Sequence, residues 1–179
     1  MILKGKKVIL RPIKMSDAPR FVKWLNDREV YQYLQAHDRR LTLKKELKWI
    51  KQNLKDLAKK NFAIETLEHQ HIGSVSLDVN KENNRAIFGI FIGDRNYWNR
   101  GCGTDAARTI INYGFSTLKL HRVELDVMIY NERAIKVYKR LGFKLEGRLR
   151  DRNRYLGKFY DVLRMSILER EWKKKNNIK

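Results

Sequence analysis

The sequence predicts a single α+β domain in which a mixed, mostly antiparallel sheet is flanked by about four helices. Three observations support this fold class. The chain has 179 residues, enough to bury one core of ordinary size. Apolar residues recur at helical spacing over residues 43–57, and the chain then changes to a succession of short strands over residues 62–92. No Gly/Ser-rich linker or repeat divides the sequence.

The first part of the chain predicts one strand and two helices. Residues 8–13 form an apolar run that contains a proline near its end. Ser16 and Asp17 can cap a following helix, and Pro19 is tolerated in a first helical turn. A second helix is expected to begin near Thr42, because apolar residues follow at spacings of three and four. These residues are Leu43, Leu47, Ile50, Leu54 and Leu57.

Three consecutive strands are predicted in the middle of the chain. They cover residues 62–65, 71–79 and 85–92, and short polar turns separate them, so a β-meander is expected. The four histidines are His37, His69, His71 and His121. His69 and His71 flank a polar turn and are interpreted as solvated loop residues. No metal site is predicted, because no third ligand lies near them.

The rest of the chain predicts a helix over residues 104–118 and a strand over residues 122–129. Asn131 is suited to cap a further helix, and Gly142 to end it. Two final strands are expected over residues 143–149 and 159–168, with a basic connection between them. The domain is predicted to span residues 1–172, with residues 173–179 as a frayed basic polar tail.

Composition points to a cytoplasmic protein without a membrane segment. Cys102 is the only cysteine, so an internal disulfide is excluded. The chain shows no signal peptide and no apolar run long enough to span a bilayer.

The chain is strongly basic. It has 40 Lys and Arg against 20 Asp and Glu, for a net charge of +20. Such a charge attracts phosphorylated cofactors, RNA or anionic membranes, or it is only a feature of a lysine-rich surface. Between Arg133 and Lys158 there are ten basic and two acidic residues. Four arginines alternate there, which in a strand would place them on one face. They are Arg148, Arg150, Arg152 and Arg154.

A glycine turn between a strand and a helix is the most informative segment. Gly101 and Gly103 stand where the helix would open, and Arg100 adds positive charge. The first N–H groups of a helix lack intrahelical partners, so this turn can hold an anion such as a diphosphate. It is not a P-loop, and a dinucleotide fingerprint would need a third glycine where Ala106 stands.

At this turn the sequence resembles the GCN5-related N-acetyltransferases, in particular the branch with ribosomal-protein alanine and spermidine acetyltransferases. Residues 98–103 fit the family's motif [Gln/Arg]-x-x-Gly-x-[Gly/Ala], with Trp98 in place of the usual Gln or Arg. Residues 131–143 match the family's second motif at the expected spacing. Smaller matches occur at residues 10–12, 24–27, 145–147 and 161–165. The resemblance covers nearly the whole chain.

The resemblance implies acetyl-CoA as co-substrate, no metal, and a central sheet splayed at the cofactor site. The strand before the turn would be splayed by a bulge. Main-chain groups of Ile90, Phe91 and Ile92 would then bind the pantetheine amides and the thioester oxygen. The other cofactor-binding residues implied by the resemblance are Trp98, Asn99, Arg100, Gly101, Cys102, Gly103, Thr104, Asn131 and Tyr138.

The resemblance also implies direct acetyl transfer, with Tyr138 as the general acid for the departing thiolate. Asn131 would meet the cofactor arm or a nearby water. The general base stays open, because Ile87 stands where relatives often carry a glutamate. The candidates for this role are Glu29, Glu124 and Asp126. Cys102 lies at the variable position of the glycine motif, and a covalent acetyl-cysteine is disfavoured.

The acceptor implied by this branch is a primary amine. A protein N-terminus of the ribosomal-protein kind suits the positive charge, because a polycation would be repelled. A polyamine, a nucleotide-linked amino sugar or an antibiotic are the small-molecule alternatives. The non-enzymatic alternative is an RNA- or ribosome-binding protein that uses the basic surface. The protein is expected to be a monomer or a homodimer.

Overall fold

A computed structural model describes residues 1–34 and 40–178, so His37 lies outside the described residues. The described chain forms one eight-stranded sheet with the order β1-β2-β3-β4-β5-β6-β8-β7. The strands are β1 (Leu3–Lys4), β2 (Val8–Pro12), β3 (Lys59–Thr66), β4 (His71–Asn80), β5 (Arg85–Ile92), β6 (Arg122–Met128), β7 (Lys144–Tyr155) and β8 (Lys158–Leu168). The helices are α1 (Ala18–Leu25), α2 (Arg28–Tyr31), α3 (Leu43–Asn53), α4 (Cys102–Ser116), α5 (Glu132–Leu141) and α6 (Glu169–Asn176).

The pairing confirms a mixed, mostly antiparallel α+β sheet. Strands β1 to β5 pair antiparallel in chain order, which includes the predicted meander. Strand β6 pairs antiparallel with β8, and β8 with β7. Only β5 and β6 run parallel, because α4 crosses between them over one face of the sheet.

Helices cover both faces of the sheet. On β3, Phe62 and Ile64 belong to a large core cluster with α4 residues such as Ile110. Ala63, between them, belongs to a second cluster with Phe21 of α1 and Ile50 of α3. Successive strand residues point to opposite faces, so α1 and α3 lie on one face and α4 lies on the other.

Two predictions for the first helices were wrong in detail. Asp17 does not cap α1 through its side chain, because its carboxylate accepts hydrogen bonds from Arg11 and from the Lys14 N–H. Helix α3 does begin after Thr42, but most of the predicted leucine stripe is exposed. Among the described residues α3 packs mainly on α1, and the face that is buried there carries Glu46 and Ile50.

His69 is exposed as predicted, but the interpretation of His71 as a solvated residue was wrong. His71 is the first residue of β4, and only 2% of its surface is exposed. Its Nδ1 lies 3.3 Å from a carboxylate oxygen of Asp17, and its ring packs edge-on against Trp24. Burial lowers the pKa of His71. The sequence could not reveal this, since Asp17 and His71 meet only through tertiary packing.

The C-terminal part is more regular than predicted. The predicted basic connection is strand, because β7 continues to Tyr155 and a two-residue turn leads into β8. The tail is not frayed over its first part, because α6 continues to Asn176. Trp172 anchors this helix, packing against Phe115 with only 2% of its surface exposed.

Candidate active site

The sheet opens between β5 and β6. Their pairing is limited to three residue pairs, of which Ile87↔Glu124 is the last. Beyond this pair β5 stays bonded to β4 alone, up to Ile92, and β6 stays bonded to β8 alone. In an extended strand, alternate residues direct their N–H and C=O groups to the same edge. The second half of β5 therefore presents free main-chain groups to a gap in the sheet.

The splayed sheet is confirmed, whereas the predicted bulge in β5 is absent from the pairing. All eight residue pairs between β4 and β5 keep one register, from Gly73↔Ile92 to Asn80↔Arg85. The gap thus arises because β6 diverges, and not because β5 is kinked. The side chains of Ile90 and Ile92 pack on the large core cluster and that of Phe91 packs on the second, so the strand is held from both faces.

Helix α4 begins directly beyond the gap with uncapped amides. Gly101 is the N-cap residue, with φ of 83°, and no side chain caps the helix. Asn99 is also left-handed, with φ of 59°. The first intrahelical bond runs from the Asp105 N–H to the Gly101 carbonyl. The N–H groups of residues 102–104 are consequently free to bind an anion.

The start of α4 lies beside β5 at Gly103, with room for a small side chain. A Cβ atom at Gly103 would lie 3.4 Å from the Ile92 side chain. Lys7, which is distant in the sequence, brings a further positive charge to this turn. Its Nζ donates a hydrogen bond to the Arg100 carbonyl at 3.0 Å. The Arg100 guanidinium itself lies 5.7 Å from the centre of the Tyr97 ring.

Trp98 bridges the two sides of the gap. Its indole N–H donates to the Ile92 carbonyl at 2.8 Å. On its other side, the Arg133 guanidinium lies 4.2 Å from the centre of a Trp98 ring. Arg133 also lies 5.8 Å from the Tyr33 ring centre. The Trp98 side chain is thus occupied by protein contacts, which leaves anion binding at this turn to backbone amides and to cations.

Cys102 lacks the features of a nucleophile. Only 6% of its surface is exposed, and it packs in the large core cluster. Burial raises the pKa of the Cys102 thiol, so the thiolate is disfavoured. The residue can contribute to an anion site only through its backbone N–H.

Helix α5 brings Asn131 and Tyr138 to the other side of the gap. The Asn131 side chain caps the helix by accepting the Ala134 N–H at 3.2 Å, as predicted, and it also lines the cleft described below. The Tyr138 ring packs against Phe88 of β5 and against Phe143. Burial raises the pKa of Tyr138, so its hydroxyl keeps its proton at neutral pH. No hydrogen bond occupies this hydroxyl within the described part of the chain.

A cleft of about 480 Å³ lies between these elements. Its lining combines the segment after α2, the turn before α4, the two residues before α5 and one face along the length of α5. The lining residues are Tyr33, Asn99, Tyr130, Asn131, Glu132, Arg133, Lys136 and Arg140. The sequence analysis had not singled out Tyr33 or Tyr130, because only the fold brings these distant segments together. The Tyr130 hydroxyl donates to the Gln32 carbonyl at 2.6 Å, which fixes one wall of the cleft.

The three carboxylates considered as a general base differ sharply in their surroundings. Glu124 is paired with Arg85 and Arg122, and Asp126 is paired with Arg164 through two hydrogen bonds of 2.8 Å. Glu29 is exposed on α2. The sequence did not single out Glu46, which is 4% exposed and whose pKa is raised to about 7 by burial.

The four arginines of the basic surface do not form one regular row. The register of β7 against β8 shifts between Leu149 and Asn153, and Asp151 adopts a left-handed conformation. Arg148 is paired with Asp161. The alternation is therefore interrupted, but Arg150, Arg152 and Arg154 remain exposed on the edge strand of the sheet.

Comparisons with known proteins agree with this architecture. Residues 7–144 match the family model of the acetyltransferase (GNAT) domain. The uncharacterized N-acetyltransferase p20 of Bacillus licheniformis is 31% identical over 176 residues, covering 95% of this chain and 97% of the relative. YdaF of Bacillus subtilis, provisionally named a ribosomal N-acetyltransferase, is 35% identical over 101 residues, covering 56% of this chain and 55% of the relative.

Among solved structures, a spermidine N-acetyltransferase from Vibrio cholerae in complex with CoA and spermine is similar in fold. It superposes with a TM-score of 0.86 and 25% identity, covering 92% of this chain and 97% of that chain. Within residues 1–34 and 40–178, no helix is long and apolar enough to cross a membrane, and no group of three or more candidate metal ligands occurs.

Proposed function

The chain belongs to the GNAT acetyltransferase family, and we propose that it transfers the acetyl group of acetyl-CoA to the α-amine of a protein N-terminus. It is an N-acetyltransferase, with acetyl-CoA as the acetyl donor. What we propose beyond this are the residues that carry out the transfer and the amine that accepts the acetyl group.

The donor is held mainly by main-chain groups. The pyrophosphate lies on the uncapped amides at the start of α4, within residues 99–104. The pantetheine arm then enters the gap, where those main-chain groups of Ile90, Phe91 and Ile92 that face away from β4 bind its amides and the thioester oxygen. The free edge of β5 supports this role, since its unpaired N–H groups can polarise the carbonyl without reorganisation.

Tyr138 supplies the proton for the leaving group. The acceptor nitrogen attacks the thioester carbon, the carbon–sulfur bond breaks, and the sulfur takes the proton from the Tyr138 hydroxyl. One of the two protons that the acceptor ammonium loses then restores the phenol. The protonated state of this buried phenol and its place beside β5 support the role. Asn131, beside the same cleft, contacts the cofactor arm or a water near it.

The acceptor amine loses one proton before the attack and a second after it. The carboxylate oxygens of Glu124 and Asp126 are already engaged in ion pairs with arginine side chains. Glu46 has the pKa that suits a general base near neutral pH, but it lies on the α1–α3 side of the sheet. Solvent completes the deprotonation if no carboxylate reaches the amine.

The state of the carboxylates is the observation that carries the choice of acceptor. A polycation needs unpaired acidic groups along its length. Within the described residues, Glu132 of the cleft lies 3.5 Å from Lys136, and Glu124 and Asp126 of the adjacent strand are bound to arginines. An acceptor with a single reacting amine does not require such groups. The exposed arginines of β7 would then aid encounter with a phosphate-rich partner such as the ribosome.

A polyamine acceptor is the second candidate. It is favoured by the solved spermidine N-acetyltransferase that resembles this chain over most of its length. Because the carboxylates named above are paired with cations, a polyamine would need acidic groups from other segments of the chain.

A panel of acceptors separates the two candidates. The purified protein is incubated with acetyl-CoA and a peptide N-terminus, spermidine, an amino sugar or an aminoglycoside, and free CoA is detected with a thiol reagent. We expect kcat/KM to be highest for the peptide amine. A preference for spermidine would replace the proposed acceptor. RNA binding without turnover of any amine would contradict catalysis itself.

A further inference from the structure

Three cations of α5 line one side of the cleft. They are Arg133, Lys136 and Arg140, and their spacing of three and four residues places them on one helix face. The Arg140 Nε also donates to the Lys136 carbonyl at 3.3 Å, which orients its side chain along the helix. Among the described residues of the lining, Glu132 is the one carboxylate and lies 3.5 Å from Lys136, so cations outnumber it three to one.

Arg133 is oriented by two aromatic rings. Its guanidinium stacks on Trp98 at 4.2 Å and approaches Tyr33 at 5.8 Å. Stacking uses the faces of the guanidinium plane and leaves the N–H groups at its edge free. The N–H groups of Arg133 are thus already oriented in the free protein, so less side-chain entropy is lost when they bind an anion.

The cations are continuous with the turn that opens α4. Asn99 belongs to that turn and also lines the cleft beside Lys136 and Arg140. The amides of residues 102–104 can accommodate the diphosphate of coenzyme A. The cofactor carries one more phosphate, a dianionic monoester on its ribose. A monoester on the ribose next to the diphosphate would reach the cations of α5.

We propose that Arg133, Lys136 and Arg140 bind the ribose 3′-phosphate of coenzyme A, so that the enzyme selects the cofactor over its 3′-dephospho form. This inference rests on the proposed function, because it assumes that the cofactor occupies this cleft. Charge-assisted hydrogen bonds from a planar guanidinium and an ammonium are the contacts that a phosphate monoester requires.

Calorimetry with CoA and with 3′-dephospho-CoA tests the proposal. We expect the wild-type protein to bind CoA at least about 10-fold more tightly, the scale of a hydrogen bond to a charged group. In Lys136→Gln/Arg140→Gln the affinity for CoA should fall toward that for the dephospho form, with Arg133 retaining part of the preference, and the affinity for the dephospho form should change little. The control Lys44→Gln/Lys139→Gln removes the same charge from exposed positions outside the cleft and should keep the preference.

Each contrary outcome has a distinct meaning. Equal binding of both cofactors by the wild-type protein would overturn the 3′-phosphate site while leaving the proposed function intact. An equal loss of both cofactors in the double variant would overturn it as well, because the cations would then act on the diphosphate. Failure of the wild-type protein to bind either cofactor would refute the proposed function together with this inference.

Discussion

The two borders of the gap use different parts of the polypeptide. On the β5 border the side chains of Ile90, Phe91 and Ile92 are apolar and pack into the two cores, so only the main chain faces the gap. On the border formed by β6 and α5, Asn131 presents a polar side chain to the cleft, and the buried Tyr138 ring packs beside Phe88 of β5. One border is suited to hold a ligand and the other to act on it.

This difference predicts how each border tolerates substitution. A main-chain site depends on backbone geometry and on open space, so it is insensitive to exchanges among apolar residues but sensitive to a new charge. A side-chain site depends on single functional groups. The predictions below compare the two borders in these terms.

The largest effect is expected on the side-chain border. Tyr138→Phe should lower kcat by roughly 10²–10³-fold, because a general acid contributes on this scale, while the Kd for acetyl-CoA should change by less than about twofold. Stopped assays of CoA release and calorimetry measure the two quantities. Tyr113→Phe is the matched control, since Tyr113 is also a buried tyrosine but lies on α4 and packs against Phe62 of β3 rather than beside β5. A Tyr138→Phe enzyme with parental kcat would reduce Tyr138 to a packing role.

On the main-chain border, Gly103→Asp should weaken acetyl-CoA binding by about 100-fold, because a carboxylate would repel the pyrophosphate at the α4 amides. A Cβ atom at this position meets only ordinary contacts, so the fold should survive. Ile90→Val should leave the Kd unchanged if only the main chain of β5 binds.

Gly147→Asp is the control for the added charge, because a Cβ atom at Gly147 meets nothing within 4 Å. Parental affinity in Gly103→Asp, measured by calorimetry, would show that the anion lies elsewhere.

The smallest effect is expected for the exposed arginines of β7, the strand at the edge of the sheet. Electrostatic steering is screened over about 8 Å at physiological ionic strength, so kcat/KM for a peptide or ribosomal acceptor should fall several-fold as salt is raised, with kcat changing less. Arg150→Gln/Arg152→Gln/Arg154→Gln should flatten this dependence.

The triple variant Lys44→Gln/Lys48→Gln/Lys51→Gln on the exposed face of α3 removes the same charge and should keep the salt dependence. If neither salt nor the arginine triple variant changes kcat/KM, the positive charge of the protein has no role in acceptor encounter.

Local signals in the sequence predicted much of the fold and part of the site. The meander, the cap at Asn131 and the glycine opening of α4 depend on neighbouring residues, and all three were confirmed. The leucine stripe of α3 misled the prediction because helical periodicity says nothing of how much of a helix its neighbours cover. His71 misled it because its partner Asp17 lies 54 residues away in the chain.

The sequence by itself determined the family, the cofactor class and the glycine turn that opens α4, because these depend on short motifs whose backbone geometry is local. Tertiary structure decided where β6 leaves β5, how Arg133 stacks between Trp98 and Tyr33, and which carboxylates are neutralised by arginines. Each of these depends on contacts between segments far apart in the chain. Their energies depend on distance and burial, which the order of residues does not specify.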